Sequence, residues 1–363
     1  MQQAPKVSPP LLKWYDKYRR VLPWRALPGQ KPNPYAVWLS EVMLQQTTVA
    51  TVGPYYHAFL KRWPKVSDLA KAERDDVMSE WAGLGYYSRA RNLYACAQAV
   101  VANHKGKFPE TEAELLALPG IGPYTAAAIA AIAFDHSTNV VDGNVERVIS
   151  RLYRVQTPMP LGKAEIKQLA AAQVPAKRGG DYAQALMDLG ATICTPRSPD
   201  CPNCPLKKIC QGYAEGDAAQ YPKTSPKKAR PIRYATVFVL QDKDGRYWMR
   251  QRPEKGLLAA MLEFPSSPWQ EKALDLPAAL AGMGALLPAA QKWKILQPEL
   301  RHVFTHFELR FTITCARAGK KPDGLWLTAD EARSKALPSL MNKVLNQTET
   351  QMTRDITSAF TSV

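Results

Sequence analysis

The chain changes character at residues 221–233, and that change limits what it can fold into. The segment YPKTSPKKARPIR carries three prolines and five basic residues with no acid. Proline stiffens such a stretch and like charges extend it, so it reads as a linker. Upstream, residues 11 to about 220 break into short amphipathic helical stretches separated by Gly and Pro: Val37–Val52, Arg89–Ala102, Glu112–Leu118, Tyr124–Phe134 and Val145–Val155. In the last, Val145, Val148, Ile149, Leu152 and Val155 recur close to helical spacing, which buries one face. Downstream the period shortens. Tyr234–Leu240 is aromatic and β-branched, DKDG (242–245) is a hairpin turn, and Arg246–Gln251 is the return strand. His302–Ala316 alternates strongly, Leu325–Leu327 adds a short strand, and helical stretches follow Trp269 and Asp330. The last 15 residues are polar and are expected to fray. The expected fold class is multi-domain: an all-α domain over 11–220, a linker over 221–233, and an α/β domain over 234–345.

Charge narrows the function. Lys plus Arg is 48 against 32 for Asp plus Glu, a net +16. Such a balance favours a polyanionic partner, because phosphate neutralisation and counterion release supply affinity regardless of base sequence. The longest apolar stretch, Thr125–Phe134, is far short of the ~20 residues that a membrane span requires, so no membrane partner is expected. The opening MQQAPKVSPPLLKWYDKYRR has no apolar signal core, and a cytoplasmic location is expected.

Four of the six cysteines, Cys194, Cys201, Cys204 and Cys210, lie inside 17 residues as Cys-x6-Cys-x2-Cys-x5-Cys. In a chain without an export signal, such a set indicates a metal centre and not a disulfide scaffold. Structural zinc usually takes two Cys-x2-Cys knuckles with a longer spacer. The compact run here better suits one 4Fe–4S cluster, with structural zinc as the alternative. Arg197, Lys207 and Lys208 interleave with the cysteines, which favours a cluster that folds a basic loop over a redox centre. Cys96 and Cys315 stand alone and read as buried small apolar residues.

LPGIGPYTAAAIAAIAF (118–134) sets Leu118, Gly120 and Gly122 immediately before an Ala-rich helix. Glycine permits unusual dihedrals, and backbone N–H groups at a helix N-terminus then face outward. A helix-hairpin-helix of this kind grips a DNA phosphate without reading bases.

The hairpin LPGIGPYTA, the downstream VVDGNVERV and the four-cysteine loop together resemble the endonuclease III superfamily of DNA glycosylases. SEVMLQQTTVATV (40–52), GLGYYSRARNL (83–93) and a Nudix-like second domain narrow the resemblance to the MutY adenine DNA glycosylases, over roughly residues 11–345. It implies removal of adenine mispaired with 8-oxoguanine or guanine in duplex DNA during base excision repair, by a monomeric protein of bacterial type acting at the nucleoid. Glu41 matches the family's general acid, and Asp142 the carboxylate that stabilises the sugar cation; Tyr124 and Asn144 flank them. Gln184 matches the position facing the edge of the extruded adenine, and Trp24, Arg25, Leu44 and Val49 resemble its pocket. Gln46 and Tyr86 resemble wedges in the base stack, with Thr47 beside the DNA. Phe304, Thr305 and His306 of HVFTH resemble the loop that inspects the lesion strand. No segment of 234–345 supplies a Nudix catalytic box, so the second domain is expected to read 8-oxoguanine and not to hydrolyse pyrophosphates. The chain departs from the family at Thr48, where Gln or Arg is usual, at Ala260 and Leu262, where Gly and Trp are frequent, and at Thr305, where Ser is common.

The chemistry needs this pairing. An N-glycosidic bond breaks toward an oxocarbenium-like sugar, and adenine leaves poorly until protonated. One carboxylic acid must hold its proton near neutral pH while another stays ionised. Glu41, among Val37, Trp38, Val42, Met43 and Leu44, is expected to be raised by desolvation; Asp142, just before a helix, is expected to stay anionic. Strand-cutting relatives place a Schiff-base Lys in the hairpin where this chain has Tyr124, so a monofunctional enzyme that leaves an abasic site is expected. The competing readings are an endonuclease III-like glycosylase/lyase for oxidised pyrimidines and a non-catalytic, redox-responsive DNA-binding protein.

Overall fold

The structure is a computed structural model that describes residues 6–226, 229–253, 256–287, 292–319, 321–335 and 337–360; Lys227 and Lys228 of the linker segment lie outside them. The chain divides into two compact units, Met1–Glu80 with Arg89–Lys227, and Trp81–Ser88 with Lys228–Val363. Among the described residues no helix is long and apolar enough to cross a membrane.

The first unit is helical. Asn33 starts the helix Pro34–Met43: its side chain accepts from the N–H of Tyr35 and Ala36, and proline takes the first helical position. The single helix expected over Val37–Val52 is two. The chain breaks after Met43, Gln46 takes a left-handed φ of 57°, and Thr48 caps the next helix, Val49–Arg62, through its hydroxyl. Hydrophobic periodicity runs through this break because both helices bury the same kind of face. The Thr48 departure has a local reason, since a hydroxyl caps where a long side chain cannot.

The Ala-rich helix Pro123–Phe134 buries Ala126 to Ala131 almost completely. Small side chains let the helices Pro34–Met43 and Gly179–Thr192 pack closely on it. Gly179–Thr192 also crosses the helix Gly143–Leu152, where a Cβ on Gly190 would sit 2.5 Å from the Asn144 Cβ. Val145, Val148, Ile149 and Leu152 face the core, as their spacing predicts. Leu118 and Ile121 pack inward between Glu112–Leu116 and Pro123–Phe134. Cys96 and Cys315 are both buried.

The second unit holds a six-stranded sheet made of β1 (Ile232–Gln241), β2 (Tyr247–Gln251), β3 (Leu262–Glu263), β4 (Lys294–Val303), β5 (Glu308–Arg317) and β6 (Leu325–Leu327). The order is β3-β2-β1-β5-β4, with β6 also paired to β2. β1 and β5 run parallel in register from Ile232 opposite Glu308 to Gln241 opposite Arg317. The period of two divides β1: Val237 and Val239 face a core shared with Leu340, Val344 and Leu345 of the helix Ser339–Phe360, while Phe238 and Leu240 face Ala279 of Leu276–Ala281. Two expectations are corrected here. His302–Ala316 is not continuous: β4 ends at Val303 and β5 begins at Glu308, so the alternation spans a hairpin. Of the last 15 residues, expected to fray, those up to Phe360 continue the helix, and residues 361–363 lie outside the described residues. Leu340, Met341, Val344 and Leu345 dock that helix on the sheet, and the polar residues beyond extend it.

Candidate active site

The helical unit encloses a cavity of about 990 Å³. Its lining comes from distant parts of the chain: Trp24 and Arg25, Glu41, the stretch Leu44–Val49, Tyr124, Asp142 to Asn144, and Gln184. The structure therefore brings together eleven of the residues singled out from the sequence: Trp24, Arg25, Glu41, Leu44, Gln46, Thr47, Val49, Tyr124, Asp142, Asn144 and Gln184.

Glu41 lies in the last turn of its helix and is 6% exposed. Burial is the main force on its carboxyl. The hydrogen bond from Tyr124 Oη (2.8 Å to Oε2) and the Arg25 charge pull its pKa down and the Asp142 charge pushes it up, and the balance sits at about 7. Burial, together with the two carboxylates, holds the Tyr124 phenol well above its ordinary pKa, so it remains a neutral donor.

Asp142 is the N-cap of Gly143–Leu152. Its Oδ1 accepts from Val145 N–H at 2.8 Å and its Oδ2 from Asn144 Nδ2 at 2.8 Å. Both bonds fix the carboxyl at the N-terminal end of the helix, one of whose free N–H groups it caps. Asn144 is itself held: its Oδ1 accepts from Arg147 Nη2 at 2.8 Å, and Arg147 also donates to the carbonyls of Gly190 and Cys194.

Gln184 donates through Nε2 to Gly180 O at 3.1 Å. Trp24 meets Tyr56 edge-on with centroids 5.4 Å apart. Arg25 is committed to a fully buried carboxylate that the sequence reading passed over: its two terminal nitrogens reach Asp188 at 2.6 and 2.8 Å. Arg20 supplies a further bond to Asp188, through Nε. Burial pushes Asp188 upward, but the hydrogen bond and charge of Arg25 and the contacts from Arg20 hold it below the usual carboxylate range. Its spacing was a usable signal, because Asp188 lies four residues after Gln184 on one helix. Gln45, whose Nε2 donates to Thr125 Oγ1 at 3.2 Å, was missed as well.

Of the hairpin, Tyr124 reaches this lining, whereas Leu118, Gly120 and Gly122 do not. Gly120 has φ +72°, and a Cβ there would meet the Asn92 Cβ at 2.4 Å, so only glycine fits. Gly122 is ordinary extended backbone (φ −92°, ψ 174°) with open space around it, which corrects the expectation of unusual dihedrals at both positions. Their amide N–H groups have no protein acceptor among the described residues.

Cys194, Cys201, Cys204 and Cys210 line one pocket with Arg151 and Tyr213. Arg151 is 1% exposed and donates to Cys194 Sγ at 3.3 Å and Thr195 O at 2.7 Å, which ties this loop to the helix that Asp142 caps. In the second unit Phe304, Thr305 and His306 occupy the turn between β4 and β5, with Thr305 and His306 exposed. Tyr86 is 52% exposed, has φ 47°, and belongs to the segment Trp81–Ser88.

Residues 39–174 match the model of the HhH-GPD superfamily of base excision DNA repair proteins, and residues 236–347 that of the NUDIX domain. An adenine DNA glycosylase of Mus musculus is 35% identical, over 93% of this chain and 77% of its own length. The chain belongs to the family of the adenine DNA glycosylases. A relative of the same description in Buchnera aphidicola is 31% identical over 92% of this chain and 96% of its own. Outside the family, the solved structure of a thermostable thymine-DNA glycosylase superposes with a TM-score of 0.50 at 30% identity, covering 57% of this chain and 94% of that one. A helical HhH-GPD domain followed by an α/β NUDIX-like domain is thus the family architecture that the fold displays.

Proposed function

We propose that this chain is an adenine DNA glycosylase of base excision repair that hydrolyses the N-glycosidic bond of adenine opposite 8-oxoguanine or guanine in duplex DNA. The observation that carries the reading is one cavity holding two differently poised carboxyl groups: Glu41, lifted to about 7, and Asp142, a hydrogen-bonded helix cap. The adenine must leave the stack to reach them. Gln184, with its amide nitrogen already bonded to Gly180, offers Oε1 to the exocyclic amine of the base, and Trp24, Leu44 and Val49 supply apolar wall. Glu41 gives its proton to a ring nitrogen of the adenine. The bond from the sugar C1′ then breaks with its electron pair on the base, and Asp142 stabilises the sugar cation. Water adds to C1′, and a proton released from it restores Glu41. Tyr124 orients Glu41, and Asn144 orients Asp142.

The phenol of Tyr124 cannot form an imine, so the enzyme is monofunctional and borohydride traps no adduct. The hairpin N–H groups of Gly120 and Gly122 take a backbone phosphate, with Leu118 anchoring the turn. Gln46 and Tyr86, both left-handed and exposed, serve as wedges in the stack. Phe304, Thr305 and His306 read the lesion strand.

Cys194, Cys201, Cys204 and Cys210 hold one 4Fe–4S cluster in this proposal. Four cysteines lining one pocket are the donor set that such a cluster takes. The cluster would staple a loop whose Arg197, Lys207 and Lys208 are exposed for phosphate. Iron analysis of the purified protein checks this.

The deciding experiment is single-turnover excision from duplexes carrying adenine opposite 8-oxoguanine, guanine or thymine, with Asp142→Asn as control. The expected order is 8-oxoguanine, then guanine, then thymine, with the control inactive. Equal rates on all three would overturn the mismatch reading.

A further inference from the structure

The turn that carries Thr305 and His306 is held by little of its own. Within it Phe304 N–H donates to Phe307 O at 2.9 Å. Its shape comes from an aromatic stack: the Phe304 and Phe307 rings lie 4.7 Å apart and 28° from parallel, and Trp269 packs on both, at 5.6 and 5.7 Å. Trp269 differs in kind, because its backbone is tied to a central strand. Tyr234 and Gln270 exchange both amide hydrogen bonds, at 2.7 and 3.0 Å, and Ser267 accepts from Thr236 N–H through Oγ. The Arg252 guanidinium lies 5.7 Å over the Trp269 ring. Arg252 is fixed in turn by Leu257 O, at 3.1 Å from Nε, and by Glu263, which is 1% exposed and also takes Arg250 Nε at 2.8 Å.

We propose that Trp269, clamped by Arg252, is the positioning residue for the lesion-reading turn and sets the preference for 8-oxoguanine over guanine. This rests on the reading of Phe304–His306 given above. The two bases differ at one oxygen and one N–H, so telling them apart depends on hydrogen bonds whose strength falls steeply with distance and angle. A turn with little hydrogen bonding of its own holds that geometry only if a rigid neighbour supports it. Trp269, on the strand-bonded segment, is that neighbour, and the cation over its ring holds it by a cation–π contact.

The test uses the full chain and the ratio of single-turnover rates on adenine opposite 8-oxoguanine and opposite guanine. Trp269→Ala is expected to lower the ratio by about tenfold, the scale of one lost aromatic contact. Trp269→Phe restores most of it, and Arg252→Gln falls between, each with the melting temperature recorded. If Trp269→Ala fails to fold, Arg252→Gln and Trp269→Leu carry the test. Phe304→Ala separates the two levels. If it lowers the ratio while the Trp269 and Arg252 variants keep it, the positioning role is overturned and the reading of the turn stands. If Phe304→Ala itself leaves the ratio unchanged, the reading of the turn falls first. Variants that slow both substrates equally also overturn the positioning role, since they show only lost structure.

Discussion

Two carboxyl groups of the helical unit, Glu41 and Asp188, are both buried, yet their environments drive them in opposite directions. Asp188 meets Arg25 face to face and Arg20 from the side; these cations outweigh the burial and keep it ionised. Glu41 has a phenol for a partner and a second carboxylate nearby, so burial prevails and its proton stays until about pH 7. Desolvation alone does not set a protonation state; the charge of the nearest partner decides which way a buried acid goes. One acid is thus built as structure and the other as a proton donor, within the same helical unit.

The sharpest way to break this contrast is Glu41→Gln, which is expected to lower single-turnover excision about 10³-fold, the typical scale of general acid catalysis. Asp188→Ala is expected to lose about 3 kcal/mol of unfolding free energy in urea, because two guanidiniums are left in a partly buried site without their counterion. Glu41→Gln should do the reverse to stability. The Glu41 pKa is raised in the folded state, so its stabilising contribution is complete below pH 4.5 and is lost as pH rises toward about 7. Above that, wild type holds an unfavourable buried charge that glutamine lacks, and the variant is expected to be more stable at pH 8 by up to about 3 kcal/mol. Wild type losing no stability relative to the variant between pH 5 and 8 would show that Glu41 titrates normally. Asp188 has the opposite sign, with a contribution present above pH 3.8 and lost on acidification. Tyr124→Phe removes the bond that lowers Glu41, so the alkaline fall of the pH–rate profile should move to higher pH, with the rate at pH 6 reduced by less than about tenfold. The smallest effect is expected for Arg20→Gln, about 1 kcal/mol in the same urea titration, since its side chain is 28% exposed.

Much of the fold could be read from the residues because period and composition agree. The 3.6 spacing of Val145–Leu152 and the alternation of Tyr234–Leu240 each mark one element with one buried face. The reading failed where two elements share a pattern: across Gln46, where helix follows helix, and across Phe304–Phe307, where strand follows strand. Periodicity carries no mark of a break unless Gly or Pro supplies one, and both breaks lack them. At the site, the separate motifs placed Glu41, Tyr124, Asp142 and Gln184, because each sits in a distinctive local string. Asp188 and Arg20 stayed hidden, since their ion pair joins residues 168 positions apart and the one local cue is the four-residue spacing of Asp188 from Gln184.

The parallel pairing of β1 with β5 has a consequence for how this chain is born. An inner strand of the second unit gains its longest neighbour only when Glu308–Arg317 has left the ribosome, after β2, β3 and β4 have already emerged. Such long-range closure is slow and exposes unpaired edges in the meantime. A truncated transcript, or a stall before β5, would therefore release a sticky, half-made sheet behind helices that had been free to fold much earlier.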